Sequence, residues 1–162
     1  MTNGDLDPAA EVIAAARERS ATVATAESLT GGLVCAALVD VPGASDVVRG
    51  GVVAYAPEVK VAALGVPADL VERLGTIHES VVRAMAEGVR QRLGATHAVA
   101  TTGVAGPEPS EGRPVGTVYV AVAGPERTVD RAFSFDGDRP AIRRAACHAA
   151  LVLLRDALAD TA

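Results

Sequence analysis

The chain has 162 residues, of which 49% are hydrophobic and 2% aromatic, and its formal net charge is −5. This length and apolar content suit one globular domain over residues 1–162, with a sizeable core. The negative charge, without any Lys/Arg run, argues against binding to nucleic acid through phosphate neutralisation. No stretch has the length and apolarity of a membrane span, and the first twenty residues lack the order of a signal peptide, so a cytoplasmic location is expected.

Helix-like and strand-like segments alternate through the first half of the chain. The helix-like segments are DLDPAAEVIAAARERS, the stretch from Thr30 to VPGAS, PEVKVAALGV and PADLVERLG. The strand-like segments are ATVATAE and GGVVAYA. Asp7 and Thr30 each stand where a helix N-cap would, and Pro8 fits a first helical turn.

The second half opens with the clearest helix, in which apolar residues recur every four positions at Ile77, Val81, Met85, Val89 and Leu93. The strand THAVATTG and the proline-rich loop VAGPEPSEGRP follow, then the paired strands VGTVYVAVAG and RTVDRAFSFDG, and a last helix from about Arg139 to the chain end. Strands that are first separated by helices and later paired predict an α/β fold. We expect a three-layer α/β/α sandwich with a mixed, mostly parallel central sheet.

Polar, glycine-containing loops follow three of the predicted elements, namely ESLTGG, TTGVAGP and FDGDR. Ligands of such sheets collect where strands end and loops enter helices. A fourth segment, YAPEVK, contains Tyr55 and the only lysine of the chain, Lys60. These four segments contain the candidate functional residues.

Ser28, in the first of these loops, has two compatible interpretations. Ser28 or Thr30 could cap the helix that begins near Gly31. Alternatively, Gly31 and Gly32 bare backbone N–H groups that could bind an anion, or stabilise the oxyanion formed when Ser28 attacks a carbonyl. Both hold if Thr30 caps the helix and Ser28 points outward.

A nucleophilic serine needs a base, and the sequence has neither a GxSxG elbow nor a histidine and aspartate in triad order. Neutral Lys60 could accept the proton, since burial lowers the pKa of an ammonium group, and Tyr55 could relay or orient it. Alternatively, Glu27 could pair with Lys60 and keep it charged to anchor an anionic substrate. Tyr55 and Lys60 could also be only an edge aromatic beside a solvated charge.

Two further positions could contact a ligand. Thr101, Thr102 and Gly103 end a strand, either as an ordinary turn or as part of a site. Arg139 opens the last helix, where a cation opposes the macrodipole, which favours a carboxylate or phosphate partner, internal or bound. The histidines lack metal-ligand spacing, and neither a Walker A sequence nor GxGxxG is present, so no metal and no cofactor are expected.

Four segments together resemble the CinA carboxy-terminal domain family. They are TAESLTGGLVCAALVDVPGAS, GGVVAYAPEVKVAALGV, AMAEGVRQRLGATHAVATTGVAGP and RPVGTVYVAV, in family order between about Val12 and Leu154. Stand-alone members include nicotinamide-nucleotide amidases. The resemblance implies an α/β/α sandwich that hydrolyses the carboxamide of nicotinamide mononucleotide (NMN) to nicotinate mononucleotide and ammonia. It also implies no metal and a homodimer or larger assembly. Larger members carry an additional amino-terminal domain, which this chain is expected to lack.

The resemblance also assigns residues. Ser28 takes the place of the nucleophile, and Tyr55 and Lys60 take those of its proton-handling partners. The residues matching the anion-binding turn and the substrate contacts are Thr30, Gly31, Gly32, Thr102, Gly103 and Arg139. The chain departs from the family in Ala56-Pro57, in EPSEG after AGP, and in His78 before the central helix. The alternative is a non-catalytic nucleotide-binding or assembly module with the same cleft.

Overall fold

The helices and strands follow one another in the predicted order within residues 7–160, the part of the chain that the computed structural model describes. The helices are α1 (Pro8–Glu18), α2 (Leu33–Val39), α3 (Pro57–Leu64), α4 (Ala68–Leu74), α5 (Glu79–Leu93) and α6 (Arg139–Ala159). The strands are β1 (Val23–Glu27), β2 (Val48–Val53), β3 (His97–Gly103), β4 (Thr117–Ala123) and β5 (Thr128–Ser134). A short 3₁₀ turn at Ala44–Asp46 follows α2.

Of the two predicted helix N-caps, the structure confirms Asp7 for α1 but not Thr30 for α2. Asp7 caps α1 as predicted, because its carboxylate accepts a hydrogen bond from the N–H of Ala9 at 3.1 Å. The prediction that Thr30 caps α2 is wrong. That helix begins at Leu33, and the residue at its N-cap position is Gly32, which has a φ of 104° and no side chain with which to cap.

The ends of α5 and α6 differ slightly from the predicted ones. α5 begins at Glu79, so Ile77 precedes the helix instead of opening it. His78 is its N-cap, and the ring Nδ1 accepts from the N–H of Ser80 at 3.0 Å. α6 is helical to Ala159; its predicted continuation to the chain end lies outside the described residues.

The five strands form one sheet in the order β2-β1-β3-β4-β5. β1 pairs in parallel with both β2 and β3, whereas β3–β4 and β4–β5 are antiparallel. Four strands therefore point the same way and β4 alone runs against them, which confirms the predicted mixed, mostly parallel sheet. The carboxyl ends of β1, β2, β3 and β5 lie together at one end of the sheet, across the strand direction. This end is called here the carboxyl edge.

Each face of the sheet carries a different size of side chain. The face toward α1, α2 and α6 presents the valines Val23, Val99, Val118, Val120 and Val122. The face toward α3, α4 and α5 presents the alanines Ala24, Ala26, Ala98, Ala100, Ala121 and Ala123. Because strand side chains alternate between faces, this pattern builds both cores and completes the three-layer sandwich. No helix within residues 7–160 has the length and apolarity needed to cross a membrane.

Small residues also allow close packing between helices, most clearly at Gly88 of α5. A Cβ atom added at Gly88 would overlap the carbonyl oxygen of Leu64 at the end of α3. We expect Gly88→Ala to lower the free energy of unfolding by about 1–3 kcal/mol, although alanine is the better helix former, because α3 must move away. Urea denaturation measures the change. Glu87→Ala, at the neighbouring exposed position, is the control; a stabilised Gly88→Ala protein would contradict the close approach.

Candidate active site

Ser28 lies at the carboxyl edge, directly after β1. Its N–H donates to the carbonyl oxygen of Thr101 at 3.1 Å, which continues the β1–β3 pairing by one residue. The side chain is buried, with 8% of the residue exposed. The Nζ of Lys60, from α3, lies 3.0 Å from the Ser28 Oγ. The hydroxyl and the amine, 32 positions apart along the chain, therefore meet as the sequence predicts; their catalytic roles remain a prediction.

Lys60 is enclosed by the protein, with 1% of the residue exposed. Besides Ser28, its Nζ donates to the carbonyl oxygens of Ala54 at 2.7 Å and Tyr55 at 3.0 Å. Burial lowers the Lys60 pKa to about 8, against the charges of Glu111 and Glu58, which raise it. The interpretation of Lys60 as a solvated surface charge is therefore wrong.

The arrangement of acceptors around Lys60 suits a base. A neutral amine has two N–H donors and one lone pair. The carbonyl oxygens of Ala54 and Tyr55 can accept both N–H groups, which leaves the lone pair for the hydroxyl proton of Ser28. With a pKa of about 8, about a tenth of the Lys60 side chains are neutral at pH 7. In this arrangement the neutral Lys60 amine can accept the hydroxyl proton of Ser28 at neutral pH.

Glu27 does not pair with Lys60, contrary to the alternative considered from the sequence. Its Oε1 accepts from the N–H groups of Gly32 at 3.2 Å and Val34 at 2.9 Å, and its Oε2 accepts from the N–H of Cys35 at 3.0 Å. The carboxylate is 1% exposed and lies at the N-terminus of α2, where the helix dipole favours a negative charge. Glu27 is thus the acceptor that caps α2 in place of Thr30.

Glu27→Gln is expected to destabilise the protein by about 1–3 kcal/mol, because an amide group brings N–H donors against N–H donors in a buried site. Denaturation in urea measures the loss. Glu72→Gln, an exposed change on α4, is the matched control and should stay within about 0.5 kcal/mol of the parent protein. Equal stability of the two variants would show that Glu27 does not cap α2.

The predicted anion-binding turn of Thr30, Gly31 and Gly32 is already occupied within the protein. The N–H of Gly31 donates to the carbonyl oxygen of Ser28 at 3.0 Å, and that of Gly32 donates to Glu27. The Thr30 side chain is fully buried, and its hydroxyl pairs with that of Thr101 at 2.8 Å. These bonds occupy the Gly31 and Gly32 N–H groups and the Thr30 hydroxyl, so they do not support anion binding through those three groups. Binding of substrate by this turn stays a prediction.

Arg143 of α6 also holds the Ser28 turn, a residue that the sequence analysis did not identify. Its guanidinium donates to the carbonyl oxygens of Leu29 at 2.8 Å and Thr30 at 3.0 Å. Gly31 leaves room for this contact, since a Cβ there would lie 3.2 Å from an Arg143 Nη. More than a hundred residues separate the partners along the chain, so no local spacing could have indicated the contact.

Tyr55 and Arg139 meet at the mouth of the site, but Tyr55 contacts Lys60 only through its backbone carbonyl. The Tyr55 hydroxyl accepts a hydrogen bond from the Arg139 Nη2 at 3.0 Å, and 60% of the residue is exposed. The other nitrogen, Nη1, donates to the carbonyl oxygen of Gly106 at 2.7 Å. The hydroxyl of Tyr55 is thus paired with a guanidinium, which does not support a relay to Lys60.

Thr102 and Gly103 lie at the end of β3, in the wall of the site. The Thr102 hydroxyl is buried and donates to the carbonyl oxygen of Thr76 at 2.7 Å, so it holds the neighbouring segment and keeps only its lone pairs for a ligand. Gly103 is needed for packing, because a Cβ there would contact the carbonyl oxygen of Thr117 on β4. Both residues line the cavity, and their direct contact with substrate stays a prediction.

A cavity of about 220 Å³ opens beside Ser28. Its lining includes Ser28, Tyr55, Thr76, Thr102, Gly103, Glu108 and Arg139. This volume is below the usual range of about 300–1,000 Å³ for drug-sized ligands, so it suits one ring of a larger molecule. A larger depression of about 490 Å³ lies at the opposite end of the sheet, near the β4–β5 turn, and its lining has no serine, threonine or cysteine. No three metal-ligating side chains cluster within residues 7–160.

Known proteins are similar to this chain in sequence and in fold. A "CinA-like protein" of Frankia casuarinae is 55% identical over 142 residues, which cover 88% of this chain and 33% of that protein. A "CinA-like protein" of Anaeromyxobacter dehalogenans is 49% identical over 148 residues, covering 91% of this chain and 36% of that protein. The chain thus spans about a third of the length of the curated relatives it matches.

Solved structures match over nearly their whole length. The competence damage-inducible protein A (ComA) from Klebsiella pneumoniae superposes with a TM-score of 0.93 at 34% identity, covering 96% of this chain and 97% of that one. The competence/damage inducible protein CihA from Agrobacterium tumefaciens superposes with a TM-score of 0.89 at 33% identity, covering 99% and 100%. The family model described as "CinA C-terminal domain" matches residues 6–158. This chain belongs to the CinA C-terminal domain family.

Proposed function

We propose that this protein is a nicotinamide-nucleotide amidase that hydrolyses the carboxamide of NMN to nicotinate mononucleotide and ammonia, with Ser28 as nucleophile and Lys60 as base. The observation that carries the proposal is the 3.0 Å contact between the Lys60 Nζ and the Ser28 Oγ in a buried site. The cytoplasm is the proposed location, because pyridine nucleotides are metabolites of that compartment. A homodimer or larger assembly, expected from the family, remains part of this proposal.

Acylation begins when neutral Lys60 takes the hydroxyl proton of Ser28 and the Oγ attacks the carboxamide carbon. The resulting tetrahedral intermediate collapses as the C–N bond breaks, and the Lys60 ammonium returns the proton to the leaving nitrogen, which departs as ammonia. In the second half, Lys60 takes a proton from water, whose oxygen attacks the ester carbon. Collapse then breaks the bond to the Ser28 Oγ and releases the carboxylic acid product, while the Lys60 ammonium returns the proton to the Oγ and restores the hydroxyl.

The oxyanion of each intermediate needs donors other than Gly31 and Gly32. The N–H groups of Leu29 and Thr30 directly follow Ser28 and have no acceptor within the described part of the chain. We assign them this role, since backbone N–H groups next to a nucleophile commonly stabilise an oxyanion. Arg143 would hold their turn rigid through its bonds to the two carbonyl oxygens of the same residues.

Arg139 is the proposed partner for the phosphate of the substrate. It is exposed at the mouth of the cavity, where its guanidinium is held by Tyr55 and Gly106. The cavity of about 220 Å³ would take the pyridine ring, and the ribose phosphate would extend outward toward Arg139. A guanidinium suits a phosphate because it can donate two parallel hydrogen bonds.

Ammonia release from NMN by the purified protein tests the proposal, with Ser28→Ala as the matched control. We expect release by the parent protein and none above the uncatalysed rate by Ser28→Ala, because alanine has no hydroxyl with which to form the ester beside Lys60. Saturable binding of NMN by calorimetry without ammonia release would overturn the enzymatic role and favour the non-catalytic nucleotide-binding module.

A further inference from the structure

One wall of the cavity is the loop between β3 and β4, residues 104–116, called here the cleft loop. Its base is closed by two backbone hydrogen bonds, from the N–H of Val104 to the oxygen of Thr117 and from the N–H of Gly116 to the oxygen of Val104, both 2.8 Å. Glu108 and Ser110 line the cavity from this loop. The shape of the cavity beside Ser28 therefore depends on where the tip of the cleft loop is held.

The tip is fastened across the cleft by Glu111. Its Oε2 accepts from the N–H groups of Thr76 at 2.9 Å and Ile77 at 3.1 Å, and its Oε1 accepts from the Thr76 hydroxyl at 3.0 Å. The preceding Gly75 leaves space for the carboxylate, because a Cβ there would lie 2.7 Å from Oε2. Thr76 and Ile77 themselves line the cavity, so the Glu111 carboxylate joins two separate segments that both contribute to its lining.

Glu111 has a backbone conformation that glutamate rarely adopts, so the shape of the turn alone does not explain why a glutamate stands there. Residues Ser110 and Arg113 pair through two backbone hydrogen bonds, and the two residues between them have φ values of 52° and 71°. Such a turn requires two left-handed residues and favours Asn-Gly or Gly-Gly. A glutamate in the left-handed region is strained, yet its side chain makes three charge-assisted hydrogen bonds.

We propose that Glu111 is a positioning residue that latches the cleft loop to Thr76 and Ile77 and so forms the substrate cavity beside Ser28. The latch continues inward, since the Thr76 carbonyl accepts the buried Thr102 hydroxyl. The inference rests on the proposed function only where it expects an effect on NMN hydrolysis. The latch itself is a property of the free protein.

The Glu111 carboxylate also acts on Lys60, because its charge raises the Lys60 pKa against the larger effect of burial. Glu58 of α3 acts in the same direction without any hydrogen bond to Thr76 or Ile77, which makes it a matched control. Three further charged side chains, Glu27, Arg92 and Arg139, have partners other than Lys60. These partners are the α2 amides, the Ala62 carbonyl, and Tyr55 with Gly106.

The test compares Glu111→Gly with Glu58→Ala. Glycine relieves the left-handed strain, so a residue that only shaped the turn would leave the protein unchanged or more stable. The latch instead predicts that the amide hydrogens of Thr76 and Ile77 exchange at least about tenfold faster in Glu111→Gly than in Glu58→Ala, as measured by NMR. It also predicts a raised KM for NMN in Glu111→Gly alone.

A second readout is the labelling of Ser28 by a fluorophosphonate, whose pH midpoint should fall in both variants because each loses a charge that raises the Lys60 pKa. Equal amide exchange of Thr76 and Ile77 in the two variants would overturn the latch. Amide exchange needs no substrate, so it decides the latch even where NMN is not hydrolysed. Absence of hydrolysis by the parent protein would overturn the proposed function alone.

Discussion

Lys60→Met is expected to lower the rate of NMN hydrolysis by about 10³-fold, because a positioned general base contributes about 10²–10⁴-fold. Methionine fills a similar volume but has no nitrogen to accept the Ser28 proton. Labelling of Ser28 by the fluorophosphonate should slow in parallel, since it depends on the same proton transfer. The ammonia assay and the labelling rate together measure the effect at a pH of about 8.

Lys60→Arg distinguishes the role of Lys60 as a base from a role as a positive charge. Arginine keeps a positive charge and several donors, but it is not deprotonated in proteins and cannot serve as base. We therefore expect a loss of the same order as in Lys60→Met. An active Lys60→Arg protein would show that the side chain acts as a charged anchor, the alternative that the sequence left open.

The second large effect is on stability, and it depends on pH. The Lys60 pKa is about 8 in the folded protein, below its ordinary value of 10.5, because burial disfavours the ammonium. Below pH 8 both folded and unfolded chains are protonated, so the full cost of burial is present. Between pH 8 and 10.5 the unfolded chain binds more protons, and the stability contributed by Lys60 rises with pH.

This linkage predicts that the parent protein gains about 2.5 kcal/mol of stability relative to Lys60→Met between pH 7 and pH 10. Urea denaturation of both proteins at several pH values measures the difference, and comparing the two cancels the titration of all other groups. Leu64→Met, at another buried position of α3, is the control whose difference from the parent should not vary with pH. A constant difference for Lys60→Met would mean that Lys60 has an ordinary pKa.

The layered fold could be predicted from patterns along the chain, whereas the contact between Ser28 and Lys60 was one of several alternatives that these patterns left open. Alternating β-branched strands and periodic helices specify the sheet and its covering layers. Loops that follow parallel strands converge at one edge of the sheet, which brings the segments of Ser28 and Lys60 together. The family resemblance then assigned roles to the two residues.

The hydrogen bonding of the Ser28 turn could not be predicted in the same way. A local rule placed Thr30 at the N-cap, but a carboxylate that ends β1 offers two oxygens to the α2 amides, and Glu27 therefore displaces the hydroxyl. The same contact uses the Gly32 amide that the sequence assigned to an oxyanion. Arg143 and Glu111 reach their partners from distant segments, so only the tertiary structure reveals them.

The most direct test of the central claim is the protonation state of Lys60 itself. Because Lys60 is the only lysine of the chain, protein grown with ¹³Cε,¹⁵Nζ-labelled lysine gives a single side-chain signal that needs no assignment. The structure predicts that the chemical shift of this signal titrates with a midpoint of about 8, and that Ser28 labelling follows the same curve. A midpoint near the ordinary value of 10.5 would contradict the role of Lys60 as the base for Ser28.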